Sequence, residues 1–179
     1  MVDPMIASPP DFDTYIATYP DFPKPGILFR DISPLLASPD AMSLAMDAFA
    51  AALADTPIDL IAGIESRGFL FSTLLAVRLG VGSMMIRKPG KLPWAVAREE
   101  YQLEYGTDRL EIHRDAVRPD ERILIVDDVL ATGGTAAATC SLVEELGAQV
   151  VGCAFLIGLA SLGGRERLAG RRVECLLEY

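Results

Sequence analysis

The chain has 179 residues, 51% apolar and 23% charged, with 25 acidic against 16 basic side chains and a formal net charge of −9. With a mean hydropathy of +0.30 and a pI near 4.6, this composition excludes bulk disorder and argues against a basic coat for nucleic acid or an anionic membrane. One histidine, His113, and three scattered cysteines, Cys140, Cys153 and Cys175, exclude two-histidine zinc sites and a disulfide frame. The cysteines read as small buried thiols in a reducing compartment.

The first basic residue is Lys24, so a secretory signal is not expected. The opening 25 residues are acidic and proline-rich, with a short helix expected around Tyr15, Ile16 and Tyr19 and a turn at Pro23-Lys-Pro-Gly26. Asp40 reads as the N-cap of a helix of about 14 residues that stops near Pro57. An alternation follows. Strands are expected at 58–64, 83–86, 122–126, 150–160 and 173–177. Helices are expected at 69–79, 136–146 and 162–168. Between them, 92–120 lacks a helical period, and Leu110 and Ile112 alternate with polar residues as in a two-stranded flap. The uncharged run 146–164 is 19 residues long, but Gln149 and glycines interrupt it, and a span needs roughly 20 apolar residues. A strand covered on both faces is expected there. The fold class expected is α/β: a twisted, mainly parallel sheet with helices on both faces plus a small hood or flap. One domain, 1–179, would carry an N-terminal element at 1–36 and a flap at about 90–118. The protein is expected to be soluble and cytoplasmic, with no nucleic-acid or membrane partner.

The chemistry concentrates in Ile123-Leu-Ile-Val-Asp-Asp-Val-Leu-Ala-Thr-Gly-Gly-Thr135. Apolar strand residues run into Asp127 and Asp128. A loop of Ala131, Thr132, Gly133, Gly134 and Thr135 then opens a helix. Open α/β sheets hold ligands at such strand ends. Helix-start amides and hydroxyls suit a phosphate. The carboxylates repel that phosphate, so their partners are sugar hydroxyls or magnesium. Together this describes a ribose 5-phosphate site. Arg87, Lys88 and Lys91 cluster after one strand and Arg67 follows another. Beside a phosphate loop they suit a pyrophosphate leaving group.

The string 125–135 resembles the phosphoribosyl-pyrophosphate motif of type I phosphoribosyltransferases. Pro23-Lys-Pro-Gly-Ile-Leu-Phe-Arg-Asp-Ile-Ser-Pro34, Glu65-Ser-Arg-Gly-Phe-Leu-Phe71, Arg87-Lys-Pro-Gly-Lys-Leu-Pro93 and Leu103-Glu-Tyr-Gly106 are similar to the adenine phosphoribosyltransferase family. The resemblance implies transfer of ribose 5-phosphate from phosphoribosyl pyrophosphate to adenine, giving AMP and pyrophosphate, with Mg2+ carried by the substrate and Asp127 its candidate protein ligand. It implies a homodimer, with Phe69–Leu75 as interface or core. It gives Arg67, Arg87 and Lys91 to pyrophosphate, with Ser66 beside it after an often cis Glu65–Ser66 peptide. Glu104, with Tyr105 on the flap, becomes the proton-transfer residue. Phe29 becomes the stacking face for adenine, Leu28 and Arg30 the backbone edge, and Leu130 the cover of the other face. Ala131 stands where 6-oxopurine enzymes carry an acidic residue, which fits adenine. Two other readings stay open: a related transferase for guanine, xanthine or orotate, and a phosphoribosyl-pyrophosphate-sensing regulator of nucleic acid. The negative charge disfavours the regulator.

Overall fold

The computed structural model describes residues 11–103 and 106–179, with only the backbone described for 102–103 and 106–108. Its two compact units are Met1–Asp47 and Ala48–Tyr179.

In the first unit a 3-10 turn at Phe12–Tyr15 leads into an antiparallel hairpin of β1 (Ala17–Pro20) and β2 (Leu28–Asp31). The helix expected through Tyr19 is therefore a strand from Ala17 onward. The backbone of Tyr19 is opposite Phe29, and the ladder outweighs a helical turn with no partner. The hairpin loop closes when the Gly26 amide donates to Asp21 Oδ1 at 2.7 Å. Helix α1 (Ser33–Ala37) follows, then α2 (Pro39–Ala52). The cap of α2 is Ser38, whose Oγ accepts from the Ala41 amide at 3.2 Å. Asp40 lies inside the first turn, where its charge suits the helix dipole.

The second unit is built on a parallel five-stranded sheet in the order β4-β3-β7-β8-β9. These strands are β3 (Leu60–Ile64), β4 (Gly82–Ile86), β7 (Arg122–Leu130), β8 (Gln149–Gly158) and β9 (Val173–Glu178). Helix α3 (Gly68–Leu79) joins β3 to β4, and α4 (Gly134–Glu145) joins β7 to β8. The centre of the sheet is apolar without interruption. Ile123, Leu124, Ile125 and Val126 are each fully buried, as a strand covered on both faces requires. Each such side chain contributes about 1.5–3 kcal/mol of burial.

Alternation along the strands sends the helices to opposite faces. Ala62, Ile64, Ile123 and Ile125 pack with Ala136, Cys140 and Val143 of α4. Gly63 points the other way, and a Cβ there would meet Ser72 of α3 at 2.8 Å from its Cβ. A ribbon of β5 (Val96–Leu103) and β6 (Gly106–His113) lies on the α4 side, adding Ala97, Tyr101, Leu110 and Ile112 to that core. A short 3-10 turn (Ala160–Leu162) and α5 (Gly164–Arg167) replace the single helix expected at 162–168, because Gly163 takes φ +71° and breaks it. Cys140 and Cys153 are buried with their sulfurs 3.7 Å apart, and Cys175 is half-buried; all three are free thiols. No helix among the described residues is long and apolar enough to cross a membrane.

Candidate active site

The chain leaves β3 toward β4 on one side of the sheet and leaves β7 toward β8 on the other. The order of strands therefore reverses between β3 and β7, and the crevice beyond their carboxyl ends is where an α/β sheet takes a ligand. Glu65, Ser66 and Arg67 follow β3. Ala131, Thr132 and Gly133 follow β7.

Strand β7 runs to Leu130 because β8 stays paired with it as far as Gly158. Asp127 and Asp128 therefore lie within the strand, and not at the exposed strand end expected of them. Successive strand residues face opposite ways, and these two divide. Asp127 turns toward a depression of about 330 Å³ lined also by Ala131, Thr132, Gly133, Gly134, Thr135 and Phe155. Burial, and after it the charge of Asp128, raises its carboxyl well above the ordinary range. Asp128 is 5% exposed and accepts from Arg67 Nε at 2.5 Å. Its amide donates to Asp127 Oδ1 at 2.9 Å. About half of the Arg67 side chain stays exposed. Gly68 explains the close approach of α3, since a Cβ there would lie 2.7 Å from the Val126 carbonyl and 2.9 Å from Asp127 Oδ1.

The loop at 131–133 is shaped from behind. Gly133 has φ +74°, a conformation that favours glycine, and its Cβ position is 2.8 Å from the Gly164 carbonyl. A Cβ on Gly164 would strike the Ala131 carbonyl and sit 2.8 Å from Leu130 Cγ. The pair Gly163-Gly164 thus braces the loop. Sequence reasoning left it without a role because it acts by lacking side chains. Leu130 is buried at 3% exposure and lines the depression beside the loop.

The turn after β4 is held by two carboxylates, Glu65 and Glu111. Glu65 Oε2 accepts from Arg87 Nε at 3.0 Å and from the Lys88 amide at 2.7 Å. Burial pushes the Glu65 carboxyl up, but the Arg87 bond, the Lys88 amide and the charges of Arg87 and Lys91 together bring it below its ordinary value. The Arg87 guanidinium sits 5.6 Å from the centre of the Phe69 ring. Glu111 on β6 is the residue missed in the sequence, where it reads as one more acidic position on a strand. It is 3% exposed and accepts from the Gly90 amide at 2.9 Å and from Arg98 Nε at 2.7 Å. Its own backbone pairs with Arg87 in both directions, at 2.9 and 2.8 Å. The peptide Glu65–Ser66 is cis.

The hairpin holds the remaining candidates. Phe29 is half-buried and meets Phe22 edge to face with ring centres 5.1 Å apart. The two rings line an open apolar recess with Tyr19, Pro20 and Asp21. Leu28 is half exposed, and Arg30 Nη1 donates to Thr18 at 2.8 Å. Tyr19 and Phe22 also escaped the sequence reading. The spacing of β1 would have exposed Tyr19, had that strand been recognised. Glu104 and Tyr105 lie outside the described residues.

Residues 33–174 match the model of the phosphoribosyl transferase domain. An adenine phosphoribosyltransferase of Methylococcus capsulatus is 56% identical over 164 residues, covering 92% of this chain and 96% of its own. The crystal structure of an adenine phosphoribosyltransferase from Thermoanaerobacter pseudethanolicus superposes with a TM-score of 0.91 at 49% identity, over 94% of this chain and 98% of that one. The chain belongs to the adenine phosphoribosyltransferase family. A more distant member, from Trypanosoma brucei, was solved in complex with AMP, pyrophosphate and ribose-5-phosphate. It reaches a TM-score of 0.84 at 28% identity, over 93% of this chain and 78% of its own. The loop 131–135 and the turn 87–91 lie in the same unit, with Asp127 lining the depression beside the loop.

Proposed function

We propose that this enzyme transfers 5-phosphoribosyl from phosphoribosyl pyrophosphate to adenine, giving AMP and pyrophosphate, as a step of purine salvage. The observation that carries the reading is the phosphate-shaped loop at the β3/β7 switch point, in a chain 56% identical to a relative named for that activity.

Displacement at the anomeric carbon passes through an oxocarbenium-like state, as glycosyl transfer does in general. In the reading proposed here, the amides and hydroxyls of Ala131, Thr132, Gly133, Gly134 and Thr135 hold the 5′-phosphate. Asp127 accepts a ribose hydroxyl. Arg67 exchanges its Asp128 partner for pyrophosphate as the donor binds, which frees the Asp128 carboxylate for the sugar. Ser66, Arg87, Lys88 and Lys91 hold the departing charge. Adenine stacks on Phe29, with the backbone of Leu28 and Arg30 at its edge. Glu104 moves the purine proton, and closure of the flap around Tyr105 excludes water. In the same reading magnesium comes on the oxygens of the donor, and Asp127 is the protein carboxylate that would hold it; bound there, the ion would supply positive charge to the leaving group.

A homodimer is the assembly proposed, and α3 supports it. Phe71 and Leu75 are fully buried, while Leu70, Leu74 and Val77 are 47%, 44% and 78% exposed. The second set forms one stripe at helical spacing, a surface suited to a second copy. A cytoplasmic setting agrees with the free thiols.

The test is direct. The protein is incubated with phosphoribosyl pyrophosphate, magnesium and one base at a time. Nucleotide is expected with adenine alone, and nucleotide formed from guanine or orotate in preference to adenine overturns the substrate assignment.

A further inference from the structure

Three elements converge on one phenol oxygen. Tyr101 of β5 is 6% exposed. Its hydroxyl lies 3.1 Å from Lys88 Nζ, after β4, and 3.2 Å from Thr135 Oγ1, in the first turn of α4. Lys88 Nζ is also 5.7 Å from the centre of the Tyr101 ring. An ammonium only donates, so the phenol oxygen accepts at the Lys88 contact. It accepts at the Thr135 contact as well, from the Thr135 hydroxyl, so one oxygen gathers both donors.

We propose that Tyr101 is a positioning residue for the donor's 5′-phosphate. Its oxygen accepts from Thr135 and so fixes that side chain at the first turn of α4. It also holds the Lys88 charge on the 5′-phosphate side of the site, apart from the Arg87 guanidinium, which is turned toward Glu65 and Phe69. The proposal rests on the reading of 131–135 as the phosphate cradle, and it moves Lys88 from the pyrophosphate set to the 5′-phosphate set. Because both donate to the same oxygen, Lys88 and Thr135 act as one unit through the phenol.

Ribose 5-phosphate and pyrophosphate each probe one end of the donor, and their binding is measured by calorimetry on the intact enzyme. In Y101F, ribose 5-phosphate should bind roughly 3- to 10-fold more weakly, while pyrophosphate changes by less than about twofold. The KM for phosphoribosyl pyrophosphate should rise with that for adenine unchanged. K88M should weaken ribose 5-phosphate in the wild-type background and add little in the Y101F background, since the lysine acts through the removed oxygen. Tyr101→Phe keeps the ring and its packing, and the melting temperature checks this. Equal weakening of both probes, or an additive double variant, overturns the proposal. If the wild type binds ribose 5-phosphate and Y101F binds it equally well, the Tyr101 role alone fails. If the wild type binds pyrophosphate but no ribose 5-phosphate, the cradle reading fails and takes the proposal with it.

Discussion

The loop after β7 and the hairpin of β1 and β2 are built by opposite means. The loop 131–135 is backed by something solid: Gly133 packs against Gly164 and Gly164 against Ala131 and Leu130, while Gly68 of α3 fits closely on Val126 and Asp127. In the hairpin the aromatic side chains stand partly in solvent, with Tyr19 53% and Phe22 54% exposed. A phosphate is recognised by fixed amides aimed at its oxygens, so its cradle must not give. A flat, neutral base needs a face and an edge, and two rings on a short ribbon suit the face. In the function proposed, rigidity sits where charge would be bound, and exposed apolar surface where the uncharged base would lie.

The contrast can be broken hardest at the carboxylates. Asp127→Asn with Asp128→Asn removes two hydrogen bonds to charged groups, each worth about 1.5–3 kcal/mol, so turnover should fall roughly 10²- to 10⁴-fold. The single Asp127→Asn change carries a second signature. Burial in the folded protein raises the pKa of Asp127 well above the ordinary aspartate value of 3.8. Its favourable contribution is thus complete below that value and disappears as pH rises through the folded pKa. At neutral pH the asparagine variant should melt higher than wild type, and the gap should close as the pH approaches the ordinary aspartate range. A lower melting temperature at neutral pH contradicts the burial argument. Gly164→Ala comes next. Overpacking of about 1–3 kcal/mol at the back of the loop should lower the melting temperature by roughly 2–12 °C and raise the KM for the donor more than that for adenine. A variant with unchanged melting temperature and KM values would show that the loop yields.

Phe29→Ala probes the softer region. Stacking on an aromatic ring is worth about 1–3 kcal/mol, so adenine should bind roughly 5- to 150-fold more weakly while donor affinity and melting temperature hold. A large drop in melting temperature with equal weakening of both ligands removes Phe29 from the base site. The smallest effect is expected at Glu111→Gln, which loosens the turn 87–91. Pyrophosphate should bind only a few-fold more weakly. The Arg98 bond lowers the Glu111 carboxyl from the ordinary glutamate value of 4.5, against the opposing effect of burial. Its stabilisation is thus present above that value and lost as pH falls through the lower folded pKa. Wild type and E111Q should differ most in melting temperature near neutrality and converge in acid.

What could be read beforehand follows the same division. The alternation of apolar strands with helices carried the order of elements, because burial on both faces writes itself as uninterrupted apolar runs such as 123–126. The loop 131–135 was legible because glycine and threonine at a strand-to-helix turn have few other uses. The division of Asp127 from Asp128 was hidden by ending the strand at Val126. Once β7 is carried to Leu130, the period of two separates them. Contributions made from a distance left no local mark: Gly164 works by absence, Glu111 through a fold-back from another strand, and Ser38 caps α2 one residue before a proline. Strand β1 is four residues long and ends in proline, too short for alternation to speak.

The two backbone hydrogen bonds between Arg87 and Glu111 make the ribbon a lever whose fulcrum is the end of β4. Glu111 Oε2 fastens Gly90 to the same strand, while Glu65 holds Arg87 and Lys88 from the sheet side. A swing of the whole ribbon would pull the turn's cations with it. Tyr101, farther out on β5, ties the ribbon to Lys88 and Thr135 as well. The ribbon as far as Tyr101 thus belongs mechanically to the sheet.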